Sequence, residues 1–177
     1  MEFGLGGCAV VGHRSLVAVR LDTLMIIAVT GWRYHTDDCL IRETMNELAY
    51  GNSRRGHDPE DLVVRGGDAT GADDLIEQWC LYQGIAYDKY VADHYPSGAL
   101  MPGAGPARNR RVLTMEKHVK WPSGEVWYTP KRADLLVGFP EPGAHPKIPG
   151  SGSWNCIGQA FTLGIEILIP ANIKIGE

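Results

Sequence analysis

A pair of glycines followed by a short acidic segment is the part of this sequence best suited to chemistry. Residues 61–74 read DLVVRGGDATGADD, and the apolar run within them stops at Gly66 and Gly67. Adjacent glycines let the backbone turn tightly or approach a ligand closely. We therefore predict a ligand-binding turn here, whose further candidates are Thr70, Gly71 and Asp73. If the protein is an enzyme, Asp73 is the predicted catalytic residue.

A cluster of arginines after Pro106 is the second candidate group. Pro106 suits the first position of a helix, so that Arg108, Arg110 and Arg111 are expected near the helix N-terminus. Positive charges there oppose the helix dipole by some tenths of a kcal/mol each. This cost indicates another task for at least one arginine, such as pairing a phosphate in a bidentate fork. We assign Arg108 and its neighbour Asn109 to ligand binding.

Two further segments complete the predicted site. Gly152 and Ser153 open a helix whose first residues carry no charge, so its N–H groups can hold a phosphate. Asp73, in the first turn of its own helix, repels phosphate but can accept hydrogen bonds from ribose hydroxyls or an amine. The third segment follows the first strand and consists of Gly31, Trp32 and Arg33.

The elements that must position these residues alternate along the chain. Apolar runs predict strands at residues 25–31, 62–64, 85–91, 133–139 and 166–169. Helices are predicted at residues 36–50, from a cap at Thr70 or Asp68 to Gly84, from Pro106, and at residues 153–163. A hairpin near residues 117–132 is expected as an insertion.

This alternation predicts an α/β, Rossmann-like fold, an open parallel sheet of strand order 3-2-1-4-5 with helices on both faces. Ligands bind such sheets at the carboxyl edge, at the switch in strand order. The switch lies between the first and fourth strands, so residues 31–33 are expected to face the loop at residues 140–153. We predict a single domain at residues 25–177; residues 1–24 are either an ordered appendage or a leader outside it.

Composition narrows the class of protein. With 177 residues, 44% of them hydrophobic, the chain fits one globular domain, and its net charge of -4 argues against nucleic acid held by bulk positive charge. The four cysteines form no CxxC pair and the histidines no metal-binding spacing, so a reducing cytoplasm is expected, with neither metal nor cofactor. No membrane partner is expected, and a homo-oligomer stays open.

Each signal also has a purely structural interpretation. The paired glycines can simply form a tight turn, and the arginines can simply lie on a solvated helix face. Asp73 can be an ordinary acidic residue at a helix start. Trp32 can belong to the core rather than stack on a base. No GxGxxG fingerprint follows the first strand, which argues against an ordinary NAD-dependent dehydrogenase.

The motifs also occur in a distinctive order. They are TGWR, RGGDATGADDLIEQWC, ADHY, GAGPARNRRVL, VGFP and GSGS, and this set resembles the YspA-like branch of the SLOG superfamily. The resemblance implies a Rossmann-like fold related to the LOG phosphoribohydrolases and to DprA, with a pocket for a nucleotide or nucleotide-derived ligand. It implies that the protein binds or senses a ligand, and it points to no established reaction.

One departure bears on catalysis. LOG enzymes carry a PGGxGTxxE-type motif with an acid that helps break the glycosidic bond, and here Ser153 stands in the Thr place and Asn155 where the acid is expected. An amide cannot act as a general base. We therefore expect binding or sensing of an ADP-ribose-like or NAD-like ligand first, a nucleotide N-glycosidase second, and DprA-like single-strand DNA binding third.

Overall fold

The three-dimensional structure is a computed structural model. It describes residues 24–51, 61–95, 98, 100–114, 119–121, 124–126, 132–143 and 151–171.

Strands and helices alternate through most of the described chain. The strands are β1 (Met25–Gly31), β2 (Leu62–Gly66), β3 (Ala86–Lys89), β4 (Val119–Trp121), β5 (Gly124–Val126), β6 (Leu135–Phe139) and β7 (Glu166–Leu168). The helices are α1 (Asp38–Tyr50), α2 (Ala72–Gln83), α3 (Ala104–Thr114) and α4 (Gly152–Thr162). The predicted strands and helices therefore all occur, with boundaries that differ by a few residues.

The main sheet has five strands in the order β3-β2-β1-β6-β7, and every pairing in it is parallel. Counted without β4 and β5, this is the order 3-2-1-4-5, so the predicted fold and its topological switch are confirmed. The switch lies between β1 and β6, where Gly31 is in register with Phe139. Since all five strands run the same way, the loops after them meet at one edge, the carboxyl edge.

Residues of β1 alternate between two apolar layers. Met25, Ile27 and Val29 pack with α1 and α2 on one face, while Ile26 and Ala28 pack with α3 and α4 on the other. A strand buried on both faces has a continuous apolar sequence, which explains why β1 could be predicted from the sequence. The two layers hold the helix starts firmly against the carboxyl edge.

The helix starts differ from the sequence prediction. Neither Thr70 nor Asp68 caps α2: its N-cap is Gly71, with no side-chain hydrogen bond. The α3 helix begins at Ala104, so Pro106 is its third residue. The α4 helix begins at Gly152, and Ser151 accepts a hydrogen bond from the N–H of Trp154 as its cap. Glycine and proline therefore mark these helix starts only to within about two residues.

Three expectations on chain organisation meet the structure only in part. Residues 1–23 lie outside the described residues, whereas Leu24 is buried in the α3/α4 layer. Strands β4 and β5 pair antiparallel within the range of the expected hairpin. Residues 144–150 of the loop at residues 140–153 also lie outside the described residues. Among the helices described, none is long and apolar enough to cross a membrane.

Candidate functional site

The turn after β2 brings the backbone unusually close to side chains. A Cβ atom on Gly67 would lie 1.3 Å from Nη1 of Arg108, and one on Gly66 would lie 2.0 Å from the hydroxyl of Tyr87. Any larger residue at position 67 would therefore occupy the place of the Arg108 guanidinium. Gly67 thus makes room for the end of an arginine side chain that comes from a different helix.

Arg108 lies between two carboxylates of the same turn. Its Nη1 is 3.4 Å from Oδ1 of Asp68 and 3.4 Å from Oδ2 of Asp73. Asp73 is 5% exposed, and the N–H of Ala69 donates to its Oδ2 at 3.4 Å. Asp68 is more open and accepts from the N–H of Ala92. We call Asp68, Asp73 and Arg108 the acidic triad, since two negative groups surround one positive group.

The pKa of Asp73 is raised from 3.8 to about 6. Burial is the main cause because it disfavours the charged carboxylate, and the charge of Asp68 acts in the same direction. The positive charge of Arg108 and the hydrogen bond from Ala69 lower the pKa but do not outweigh burial. Asp73 can therefore hold or release a proton near neutral pH.

Two polar atoms of the triad are left without partners. Within the part of the chain that the structure describes, Oδ1 of Asp73 and Nε of Arg108 are buried and make no hydrogen bond. An unsatisfied buried polar atom costs about 1–3 kcal/mol. Such atoms are rare in folded proteins and mark places where a further group can bind.

The loop after β1 is joined to the start of α2. The N–H of Ala72 donates to the carbonyl of Trp32 at 3.3 Å, and the hydroxyl of Thr70 donates to the carbonyl of Arg33 at 3.1 Å. Gly71 has a φ of 80°, and a Cβ there would lie 2.5 Å from the backbone of Arg33. The predicted segments at residues 31–33 and 66–73 are therefore neighbours at the carboxyl edge.

Two aromatic rings lie on this loop. Trp32 is half-buried and contacts Tyr34 edge to face, with ring centroids 5.7 Å apart. Tyr34 is 67% exposed. Trp32 therefore belongs neither to the two apolar layers nor fully to the surface, and the exposed ring of Tyr34 stands nearly perpendicular beside it.

The start of α4 lies beside α3. Gly152 is exposed, whereas Ser153, predicted to hold phosphate, is 5% exposed. Nδ2 of Asn109 donates to the carbonyl of Gly152 and to Oδ1 of Asn155, both at 3.1 Å. Asn109 is therefore a buried link between the two helices, and its amide is engaged by protein groups.

The helix-dipole argument for the arginines is wrong. Since α3 begins at Ala104, Arg108 lies in its middle and Arg111 in its last turn, where the dipole favours positive charge. Arg110 is exposed, and Arg111 donates to the carbonyl of Val91. Arg108 does point inward as assigned, but it contacts carboxylates of the protein.

Sequence reasoning did not single out two residues of this edge, Tyr34 and Tyr87. The Tyr87 hydroxyl donates to the carbonyl of Gly67 at 3.4 Å, and burial raises its pKa well above the usual value, so it stays protonated. Only the alternation of Tyr87 within β3 could have suggested an inward position. The described residues contain no group of His, Cys, Asp and Glu side chains that could hold a metal ion.

Comparison with known proteins identifies the fold. Neither protein-family models nor curated protein sequences give a match. The solved structure of DNA processing protein A (DprA) from Streptococcus pneumoniae is similar, with a TM-score of 0.55 and 16% sequence identity. The match covers 86% of this chain and 53% of that chain, so this chain spans about half the length of DprA. At such low identity the similarity shows the fold alone: a DprA-like, Rossmann-like fold.

Proposed function

We propose that this protein binds a nucleotide or nucleotide-derived ligand, of the ADP-ribose or NAD type, at the carboxyl edge of the main sheet. The observation that carries the proposal is the convergence of three segments there. The loop at residues 31–33 is hydrogen-bonded to the turn at residues 66–73, and Arg108 of α3 packs onto that turn. In open α/β sheets this edge, beside the switch in strand order, is where ligands bind.

The parts of the edge differ in the chemistry that they offer. Trp32 and Tyr34 offer aromatic surface on which a base can stack. The first turn of α4 carries no acidic residue and begins with the exposed Gly152, so its N–H groups are suited to a phosphate. The acidic triad offers hydrogen-bonding groups of both signs. A nucleotide has a matching part for each: base, phosphate and sugar.

A thermal-shift screen tests this proposal. AMP, ADP, ATP, NAD and ADP-ribose would each be added to the full chain, and at least one is expected to raise the melting temperature in a concentration-dependent manner. The Trp32→Ala variant should lose most of that shift, and Trp32→Phe should keep more of it because a ring remains. If none of these nucleotides changes the melting temperature of the parent, the proposal is wrong.

A nucleotide N-glycosidase is the second candidate, and the pKa of Asp73 near 6 favours it, since such a carboxyl can act as an acid or base near neutral pH. Against it, Oδ1 of Asn155 accepts hydrogen bonds from Asn109 and Gln159, so the position of the expected acid holds a structural amide. Chromatography of the same nucleotide mixtures distinguishes the two functions. If the parent releases free base with turnover and Asp73→Asn does not, the protein is an N-glycosidase and not only a binding protein.

We also propose that the chain belongs to the YspA-like branch of SLOG, because its motifs occur in the order of that branch. We propose a cytoplasmic location because the cysteines of the described residues are free and well separated.

Binding of single-stranded DNA is the weakest alternative, because the chain carries a net charge of -4. A labelled oligonucleotide should show no salt-dependent binding.

A further inference from the structure

We infer that the acidic triad recognises the hydroxyl groups of a sugar and not a phosphate, so that Arg108 belongs to the sugar subsite of the ligand. This inference rests on the proposed function, and it moves Arg108 away from the phosphate role expected of it. It follows from the charges of the triad, from its unpaired atoms and from the groups around it.

The charge balance disfavours an anion at the triad. With both carboxylates ionised, Asp68 and Asp73 outnumber the one guanidinium, and both lie 3.4 Å from the same Nη1. Asp74 adds a further negative charge in the first turn of α2. A phosphate at this turn would have to compete with carboxylates that already hold the arginine, and like charges at short distance repel.

The unpaired atoms specify what a ligand group must offer. Oδ1 of Asp73 is an acceptor that lacks a donor, and Nε of Arg108 is a donor that lacks an acceptor, among the described residues. A hydroxyl both donates and accepts, so one hydroxyl can satisfy either atom and a neighbouring pair can satisfy both. A phosphate dianion has no hydrogen to give Asp73, and an ammonium group has no lone pair for Arg108.

The surroundings leave the sugar as the part of a nucleotide that fits here. The aromatic surface for a base lies on the neighbouring loop, which the Thr70 hydroxyl joins to the turn. The uncharged helix start suited to a phosphate lies at α4. Both unpaired atoms are shielded from solvent, so binding requires a rotation of Arg108, whose side chain lies against Gly67 and is 16% exposed.

The decisive experiment compares two ligands that differ only in their hydroxyls. Calorimetry would measure the affinity of the full chain for AMP and for its dideoxy analogue, which lacks both ribose hydroxyls. We expect AMP to bind at least roughly tenfold more tightly, because its hydroxyls supply hydrogen bonds to charged groups that are unpaired in the free protein, and one such bond is worth about a factor of ten in affinity. Pyrophosphate would be titrated as a probe that has no sugar.

Two matched variants assign the effect to the triad. Asp73→Asn should reduce the preference for AMP to below about threefold without weakening pyrophosphate. Asp74→Asn removes the same charge one residue along, on an exposed side chain that accepts from Gln78, and should keep the preference. Unfolding curves of both variants verify that each is folded.

The outcomes are distinct. Equal affinity for AMP and its dideoxy analogue overturns this inference and leaves nucleotide binding in place. Weaker pyrophosphate binding by Asp73→Asn, or equal loss of preference in both variants, also overturns it. If no nucleotide binds the parent, the proposed function fails and the sugar subsite fails with it.

Discussion

Burial and charge oppose each other at Asp73. Its carboxyl is 5% exposed, it has one cation beside it, and another carboxylate shares that cation. Burial of a carboxylate is tolerated at such a position only when hydrogen bonds and charges compensate it, and one oxygen of Asp73 is uncompensated. The folded protein therefore favours the protonated form more than the unfolded chain does.

This difference predicts a pH dependence of stability. The pKa of Asp73 is raised from 3.8 to about 6, so the stability gained from its protonated form is fully present below 3.8 and is lost as the pH rises through 6. The parent should lose roughly 3 kcal/mol over this range relative to Asp73→Asn, which cannot titrate. Denaturant unfolding from about pH 4 to pH 7 measures the difference. No change with pH in the difference between the parent and Asp73→Asn, or an equal pH-dependent difference between the parent and Asp74→Asn, would contradict the assignment.

Gly67 offers a second test at the scale of one residue. In Gly67→Ala the new methyl group would lie 1.3 Å from Nη1 of Arg108 and 2.5 Å from Oδ2 of Asp73, so the guanidinium must move and Asp73 loses its cation. We expect a loss of on the order of 2 kcal/mol in the free energy of unfolding, together with weaker nucleotide binding.

Gly158→Ala is the matched control for that variant. Gly158 lies inside α4, and apart from its neighbours and the backbone of its own helix no atom lies within 4 Å of the place of the added methyl group, so this substitution should raise stability by about 0.5–1 kcal/mol. If Gly67→Ala keeps full stability and full ligand affinity, the guanidinium does not depend on the glycine turn.

At the scale of elements, Asn109 links the two helices on one face of the sheet. Its buried amide donates from α3 to the carbonyl of Gly152 and to Asn155 at the start of α4. Asn109→Ala should cost about 1–3 kcal/mol, because two hydrogen bonds between the helices are lost, each with a net contribution of about 0.5–1.5 kcal/mol. The exposed neighbour Arg110→Ala should change stability by less than about 0.5 kcal/mol. Equal effects of the two in chemical denaturation would show that the link is unimportant.

The strands could be read from the sequence because each is a short apolar run with a turn signal after it. Met25–Gly31 was predicted at its observed bounds, and Gly84 ends α2 as expected, with a φ of 70°. Local signals suffice in such cases, since burial on both faces of a parallel sheet leaves a continuous apolar pattern. The alternation of elements predicted a parallel sheet, for which 3-2-1-4-5 was the expected strand order, and the pairing confirms that order.

The partners of the site residues could not be read in this way. Arg108 meets Asp73 across 35 positions of sequence, and Asn109 meets Gly152 across 43. Nothing in the local pattern distinguishes an arginine that faces phosphate from one held between two carboxylates. The glycine pair was recognised as important, but only the fold shows that it leaves room for a side chain of another helix.

At the scale of the whole molecule, the parallel sheet brings three segments distant in sequence to one edge. The turn after β2 contacts both the loop after β1 and the middle of α3 there. The DprA-like fold by itself does not specify a ligand, because one fold carries many functions. The support for the proposed function therefore comes from the residues at the carboxyl edge. A test of that function must show where the ligand binds as well as how tightly.

The most direct test maps a bound nucleotide onto the chain by amide chemical shifts. The nucleotide that gives the largest thermal shift would be titrated into nitrogen-15-labelled protein. The proposal predicts that signals of residues 31–34 and 66–73 move with it, while those of Gly51 and Gly84, at the ends of α1 and α2 away from this edge, stay in place. Shifts confined to other surfaces, or no shift with any nucleotide, would contradict nucleotide binding at the carboxyl edge.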